Sequence, residues 1–334
     1  MNTFEEWVKV GLATGISVAA DRRGVPTVRY VAGEVSGQTL NNDSLFNVGS
    51  VTKPITAALL MKLLELGEIT LHDPVQRFIP EFRFSEVELL HLLVHTAGFD
   101  ENTSITWPKS GTEREYLNAI YAIDRLGYPM GERNVYFSFG YSILMDVLER
   151  VSGCSLEMFA RMMLFEPLGM ECTTFSEALT RSAIVPLHPD TMETDADKMG
   201  LGITGDSGLY SNPEELLRFG QMLLQGGEWE GKKIYAESTV DLMFREVTGG
   251  VFGRTPVFWK KTERDLHRTT NIDVHRCFAD LHTPNAVGHN GFSGCMFAVD
   301  PGLDSVIVIC TGSQRVNSDG RNYKRLMNQI LSLG

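Results

Sequence analysis

The sequence predicts an α+β protein: an antiparallel sheet flanked by helices, with a mostly helical unit inserted into it. Three observations carry this. Strand-like runs lie near both ends of the chain, helical periodicity fills the middle, and a strand–turn–strand run followed by an amphipathic helix closes the chain. One sheet built from both ends is the economical way to satisfy that order. Residues 1–60 and 200–334 are expected to form the sheet unit and residues 61–199 the helical unit, a division that suits a chain of 334 residues.

Each element has a local reason. In "MNTFEEWVKVGLATG" Thr3 and Glu6 fit a capping box, and Phe4, Trp7 and Val8 share a face of a short helix. "GISVAADRRGVPTVRYVAGEV" reads as two strands joined by a turn at Asp21–Gly24. A helix is expected from about Ser50 to Leu66. "SEVELLHLLVHTAG" has helical spacing and stops at Gly98; "FGYSILMDVLERVSG" puts Leu144, Val147, Leu148 and Val151 on one stripe and stops at Gly153. "NPEELLRFGQMLLQGG" begins with a cap at Asn212, has proline at the first helical position and ends at a glycine pair. "GCMFAVDPGLDSVIVICTG" reads as a hairpin around Pro301–Gly302. Its second run, Val306–Cys310, is apolar on both faces and belongs in the middle of a sheet. "SDGRNYKRLMNQILSLG" gives a terminal helix that buries Tyr323, Leu326, Met327, Ile330 and Leu331. Residues 250–286 carry mixed signals and receive no element.

Composition narrows the function. At 43% hydrophobic and 22% charged residues the chain reads as an ordinary globular protein, and no run of about 18 apolar residues offers a membrane span. The net charge of −12 with no basic cluster makes nucleic acid and anionic membrane poor partners. Glu5 and Glu6 are foreign to the basic start of a signal peptide. Five scattered cysteines without a C-x-x-C pair read as reduced, mostly buried thiols. Together these lead to the expectation of a cytoplasmic location.

The chemistry centres on "NVGSVTKPITAALL". Ser50 and Lys53 are three apart where a helix begins, so they face the same way. A serine hydroxyl needs a nearby unprotonated base to become a nucleophile. The positive end of the helix dipole disfavours a charged lysine there, and desolvation pushes in the same direction. The Ser50 N–H is placed to help hold an oxyanion. The alternative is a plain helix cap with a solvated lysine, since serine is a preferred N-cap. A bare S-x-x-K arises about once by chance in a chain of this size, so the pair decides nothing alone. Pro54 costs little within the first turn, although it disfavours helical dihedrals at Lys53.

Three separated segments decide it together. "FNVGSVTKPITAALL" resembles the nucleophile segment of the serine β-lactamase and penicillin-binding-protein superfamily. "PMGERNVYFSFGYSILMDVLERVSG" is similar to its Y-x-N segment, and "VGHNGFSGCMFAVDP" to its K-T-G or H-x-G strand. Weaker likenesses at "GEITLHDPVQRFIPEF", "LLHLLVHTAGF", "EPLGM" and "SGLYSNPEELLRFGQMLLQGG" extend the resemblance over nearly the whole chain, toward the class C β-lactamase, esterase and D-peptidase branch. The resemblance implies the β-lactamase/transpeptidase-like fold, with the active site between the two units. It implies Ser50 as nucleophile, Lys53 and Tyr136 as a coupled base pair, and no cofactor or metal. By the same resemblance Ser138, His289, Asn290, Gly291 and Phe292 line the substrate and oxyanion side. The Phe292 N–H joins that of Ser50, and Gly291 lets a substrate lie close to the backbone.

Two departures shape the expected substrate. Ser138 replaces the motif asparagine, losing a group that can pair with an amide, and it can instead cap the helix of residues 139–151. H-N-G replaces K-T-G, so a fixed charge that would grip a carboxylate is missing, and His289 is largely neutral near pH 7 unless perturbed. The expectation is a serine hydrolase acting on a small ester, lactone or amide. A D-amino-acid peptidase or weak β-lactamase, an acyltransferase, and a non-catalytic binding protein of the same fold remain the alternatives. "GDSG" at 205–208 recurs in trypsin-like proteases, but those are all-β; by resemblance it is here a loop bordering the site. His91 and His95 are four apart, yet no third ligand supports zinc, so both read as structural.

Overall fold

The computed structural model describes the chain except residues 1, 14, 36–37, 101, 104, 106–110, 177–183, 186–203, 263–276, 320 and 334. The expected unit boundary near residues 199–200, and much of the unassigned 250–286 stretch, lie outside the described residues.

The sheet draws on both ends of the chain. From the first end come β1 (Gly15–Arg22), β2 (Val25–Val35) and β3 (Gln38–Thr39). Further along lie β4 (Leu45–Asn47), β5 (Ile184–Val185), β6 (Tyr210–Ser211), β7 (Glu228–Trp229), β8 (Lys232–Lys233) and β9 (Trp259–Lys260). The last three are β10 (Val287–Asn290), β11 (Met296–Asp300) and β12 (Ser305–Cys310). Seven of them form one antiparallel sheet in the order β3-β2-β1-β12-β11-β10-β9. A small second sheet has the order β5-β4-β6, with β4 and β5 parallel.

β12 is the central strand, and this explains its apolar run. Val306, Val308 and Cys310 join the core that also holds the middle helices. Ile307 and Ile309 join a second core on the other face, with Phe4, Trp7, Tyr323, Leu326, Met327 and Ile330. A strand buried on both faces has no polar side to show. The second core is closed by the two terminal helices, α1 (Asn2–Lys9) and Arg321–Ser332, through the faces expected of them. Helix α1 begins at Asn2, so Thr3 stands inside it and not at its cap.

The other face carries α2 (Thr52–Glu65), α5 (Phe139–Ser152) and the helix Pro213–Leu224; α3 (Leu89–Leu93) and α4 (Glu113–Tyr121) pack beyond them. α2 is buried nearly all round, from Thr52 to Met61. Pro54 is its third residue, inside the turn whose N–H groups have no intrahelical acceptor, and so removes no helical bond. The helix Pro213–Leu224 starts as expected: the Asn212 side chain accepts from the Glu215 N–H at 2.9 Å, and Gly226 and Gly227 follow with positive φ. α5 ends at Gly153 in the left-handed region. α3 is shorter than its periodicity suggests, because His95 takes φ 58° and turns the chain out of the helix.

All five cysteines are free; Cys277, Cys295 and Cys310 are buried and the other two half-buried. Among the described residues no helix is long and apolar enough to cross a membrane.

The helix Pro213–Leu224 lies flat on β12 only because residue 220 is glycine. A Cβ there would stand 2.5 Å from Val306 Cγ1. Gly220→Val is expected to lower the unfolding free energy by about 1–3 kcal/mol through overpacking. Urea denaturation reads this directly, and an unchanged midpoint would contradict the packing described.

Candidate active site

The site forms where β4 runs into α2. Between them residues Gly49–Val51 make a single tight 3-10 turn that carries Ser50. Gly49 sits at φ 55°, and a Cβ on it would stand 2.9 Å from the Phe292 ring. Asn47 clamps the turn: its Oδ1 accepts from the Gly49 N–H at 2.8 Å and its Nδ2 donates to the Ser207 carbonyl at 3.2 Å. Ser50 is half-buried at the start of this helical stretch.

The "GDSG" loop is the floor. The Asp206 carbonyl accepts from Lys53 Nζ at 2.9 Å, and the Gly205 carbonyl from Thr56 Oγ1 at 2.8 Å. The Leu209 N–H donates to Thr52 Oγ1 at 3.1 Å. A Cβ at Gly205 would lie 2.7 Å from the Tyr141 carbonyl, so the loop also presses on α5. Four glycine-rich residues thus tie α2 to α5 beneath Ser50.

Three side chains converge above that floor. Lys53 is wholly buried, and its Nζ donates to Ser50 Oγ at 3.2 Å. Nζ also lies 4.9 Å from the centre of the Tyr136 ring and 5.6 Å from that of Tyr141. Tyr136 hydrogen-bonds the side chains of both Ser50 and Ser138. Burial holds the Tyr136 phenol above its usual range, and the nearby Asp206 carboxylate adds to this. The Ser50 bond, the Arg254 charge and the Ser138 bond pull the other way.

The end of β10 forms the opposite wall. His289 is buried, and its Nδ1 lies 2.8 Å from the Asn290 carbonyl. A carbonyl only accepts, so Nδ1 carries the proton. Burial first, and then the Lys53 charge, push its pKa well below the usual value, so the ring is neutral at pH 7. Asn290 Oδ1 accepts from Cys277 Sγ at 3.4 Å. The carbonyls of Gly291 and Phe292 accept from Asn317 Nδ2 at 3.3 and 3.1 Å, which holds the turn after β10. Among the described residues neither the Ser50 nor the Phe292 N–H donates a hydrogen bond.

One expectation needs correction. Ser138 precedes α5 but makes no side-chain cap; its φ of −61° and ψ of −37° are already helical, and its hydroxyl bonds Tyr136. Gly291 also has a steric reason to be glycine: a Cβ there would strike the Val48 carbonyl. Gly49 and Gly291 are the two sides of one joint, where the strand end meets the serine turn.

Sequence reasoning missed part of the wall. His95 lies under Tyr136 with ring centres 4.6 Å apart, and its Nδ1 accepts from the Phe137 N–H at 3.3 Å. It was separated from His91 by the turn at φ 58°, so the two do not share a helix face. Trp259 meets Tyr136 edge-on at 5.8 Å and His289 at 4.5 Å. Arg254 lies over Trp259 at 4.6 Å. Both come from the 250–286 stretch, whose sequence carries no clear periodic signal. Only the concentration of aromatic and cationic residues in "GRTPVFWKK" hinted at a buried role.

The chain belongs to the beta-lactamase family, whose model matches residues 4–332. It is 23% identical over 308 residues to a Salmonella agona (strain SL483) protein named "Putative D-alanyl-D-alanine carboxypeptidase", covering 80% of this chain and 69% of that one. Among solved structures, "EstCE1, a hydrolase with promiscuous acyltransferase activity" superposes with a TM-score of 0.77 at 19% identity, covering 99% of this chain and 96% of the other. A family VIII carboxylesterase does so with a TM-score of 0.74 at 18% identity, covering 98% and 96%. At such identities the structures establish the shared mixed α/β fold with its antiparallel sheet.

The buried histidines set a pH response. His95, like His289, is held well below its usual pKa, first by burial and then by nearby cations. Unfolded, both protonate near the ordinary value of about 6.5, so below that pH the unfolded chain binds more protons. Their contribution to stability is present above this value and is lost as pH falls toward the depressed folded values. Urea unfolding is expected to weaken from about pH 7 to about pH 5, and His289→Gln to flatten that fall by up to about 1.4 kcal/mol per pH unit. Identical slopes in both proteins would count against buried, neutral His289.

Proposed function

We propose that the protein is a serine hydrolase that forms an acyl-enzyme on Ser50, with small esters or lactones as its preferred substrates and amides as slower ones. The observation that carries this is the contact of a wholly buried Lys53 ammonium with Ser50 Oγ at 3.2 Å, with Tyr136 bonded to the same hydroxyl. A cap needs neither partner.

Ser50 Oγ attacks the acyl carbonyl as its proton passes to Tyr136 in its phenolate form, held beside the Lys53 ammonium. The carbonyl oxygen becomes an oxyanion held by the Ser50 and Phe292 N–H groups. The C–O bond to the leaving group then breaks, and the pair returns the proton to the departing alkoxide. Water, deprotonated by the same pair, attacks the acyl carbon; the bond to Ser50 Oγ breaks, the pair returns the proton to that oxygen, and the acid leaves. The wall facing the substrate favours esters over C-terminal peptides. Neutral His289 brings no fixed charge for a carboxylate, and Ser138 spends its hydroxyl on Tyr136. The family membership and the superposition on an esterase support the hydrolase class.

Ser50→Ala is expected to reduce p-nitrophenyl butyrate hydrolysis on the order of 1000-fold or more with an unchanged circular dichroism spectrum. Equal turnover by both proteins would make Ser50 a cap and end the proposal. Tyr136→Phe tests the base pair: the phenol oxygen is lost and the ring kept. A fall in kcat of on the order of 100-fold or more is expected, with KM little changed. Full activity in Tyr136→Phe would remove Tyr136 from the proton path.

A further inference from the structure

Arg254 is a charge with no counter-charge among the described residues. It is 1% exposed, yet no salt bridge joins it to a carboxylate among the described residues. Its Nη2 donates to Asn134 Oδ1 at 2.8 Å, while Nε and Nη1 are buried without a hydrogen-bond partner among the described residues. Asn134 in turn donates to the Val94 carbonyl at 2.5 Å, which fastens the guanidinium to the corner that carries His95. Trp259 covers the guanidinium at 4.6 Å and touches Tyr136 and His289 with its other surfaces. Burying an unpaired cation costs several kcal/mol, so such a residue persists where something else repays it.

We infer that Arg254 is a positioning residue for the reaction: from beside β9 it stabilises the anionic form of Tyr136, supplying the positive charge that His289 does not bring to β10. This rests on the serine-hydrolase reading above. The groups facing Tyr136 come from each element packed against it. Ser50 and Lys53 face it from the serine turn and α2, His95 from the corner after α3, and Ser138 and Tyr141 from its own segment and α5. Asp206 faces it from the floor, Trp259 from β9, and His289 from β10. The two histidines are neutral, and among the described residues the Asp206 carboxylate is the one anion acting on Tyr136 against Lys53 and Arg254. With Tyr136 neutral one positive charge stands uncompensated; with Tyr136 ionised the cluster is balanced. The phenolate is the form that accepts the Ser50 proton as the bond from Oγ to the acyl carbon forms.

Burial pushes the Arg254 pKa down to about 10, which leaves it a cation at neutral pH. The groups that pull it back up are Tyr136 first, then Tyr141 and Cys277. A substrate carboxylate is a poorer match for the charge, because the guanidinium is sealed behind Trp259 and closed to solvent.

The test compares wild type with Arg254→Met, Arg254→Lys and Asn134→Asp. The methionine removes the charge and keeps the stem, the lysine keeps a cation, and the aspartate leaves Arg254 in place but neutralises it. The last variant serves if Arg254→Met does not fold. Two readouts are followed: the pH dependence of kcat/KM on p-nitrophenyl butyrate, and Tyr136 ionisation by phenolate absorbance, taken as the difference from a matching Tyr136→Phe protein. Arg254→Met and Asn134→Asp are expected to move the acid limb of kcat/KM and the Tyr136 ionisation up by about one pH unit or more, with Arg254→Lys staying near wild type. A limb that stays in place while activity falls equally at every pH is the mark of lost packing, and it overturns the inference. So does Tyr136 ionisation that is equal in wild type and variants, or that is absent from all of them below alkaline unfolding. Phenolate absorbance needs no turnover, so an active Ser50→Ala protein would end the hydrolase reading and leave the Arg254 effect separately decided.

Discussion

A lysine ammonium with no access to water is the constraint on which the rest of this structure depends. Lys53 is wholly buried, and a buried charge is tolerated only when its donors are used. Its Nζ is anchored to the Asp206 carbonyl and reaches Ser50 Oγ, with two tyrosine rings close by. Each of those partners comes from a different part of the chain. The serine is three residues away on the same turn, Asp206 lies on the loop before β6, and the tyrosines flank the start of α5. Satisfying one ammonium therefore fixes the helix, the loop and the motif segment relative to one another.

The second constraint is steric. Gly49 and Gly291 let the serine turn and the end of β10 approach to backbone contact, while Gly205 lets the floor loop reach α5. These contacts bring the Phe292 backbone against the serine turn and leave Tyr136 enclosed by His95, Trp259 and His289. Electrostatics follow from that enclosure. Burial raises the phenol and lowers the imidazoles; the Arg254 charge works against the first, and Lys53 and Arg254 both add to the second. The site is thus a small volume where several titratable groups share a low dielectric. The protonation state of each is a property of the cluster.

Much of this was legible from sequence because it is local. The β1–β2 hairpin, the Asn212 cap, the Gly153 stop and the buried stripe of the terminal helix are each set by residues within a turn or two of one another. β12 was legible as a central strand because an apolar run without polar alternation has no solvent face to offer. The short α3 was not, since its periodicity continues past the point where His95 leaves the helix, and a positive φ has no signature in a non-glycine residue. Ser138 looked like a cap for the same reason: its type and position suited one, and the hydroxyl found a better partner across the site.

By itself the sequence determined the class of fold, the strand order's dependence on both chain ends, and the three segments that meet at the site. Hydrophobic periodicity, turn chemistry and motif spacing are written in neighbouring residues. Only the tertiary structure decided what surrounds Tyr136, why Gly291 must be glycine, and that an arginine from a stretch without readable pattern lies within the field of the site. Those are contacts between residues far apart in sequence, more than a hundred positions in cases such as Asn134 with Arg254 or Lys53 with Asp206. No local preference encodes them; they exist because burying both sheet faces leaves the chain few other ways to close.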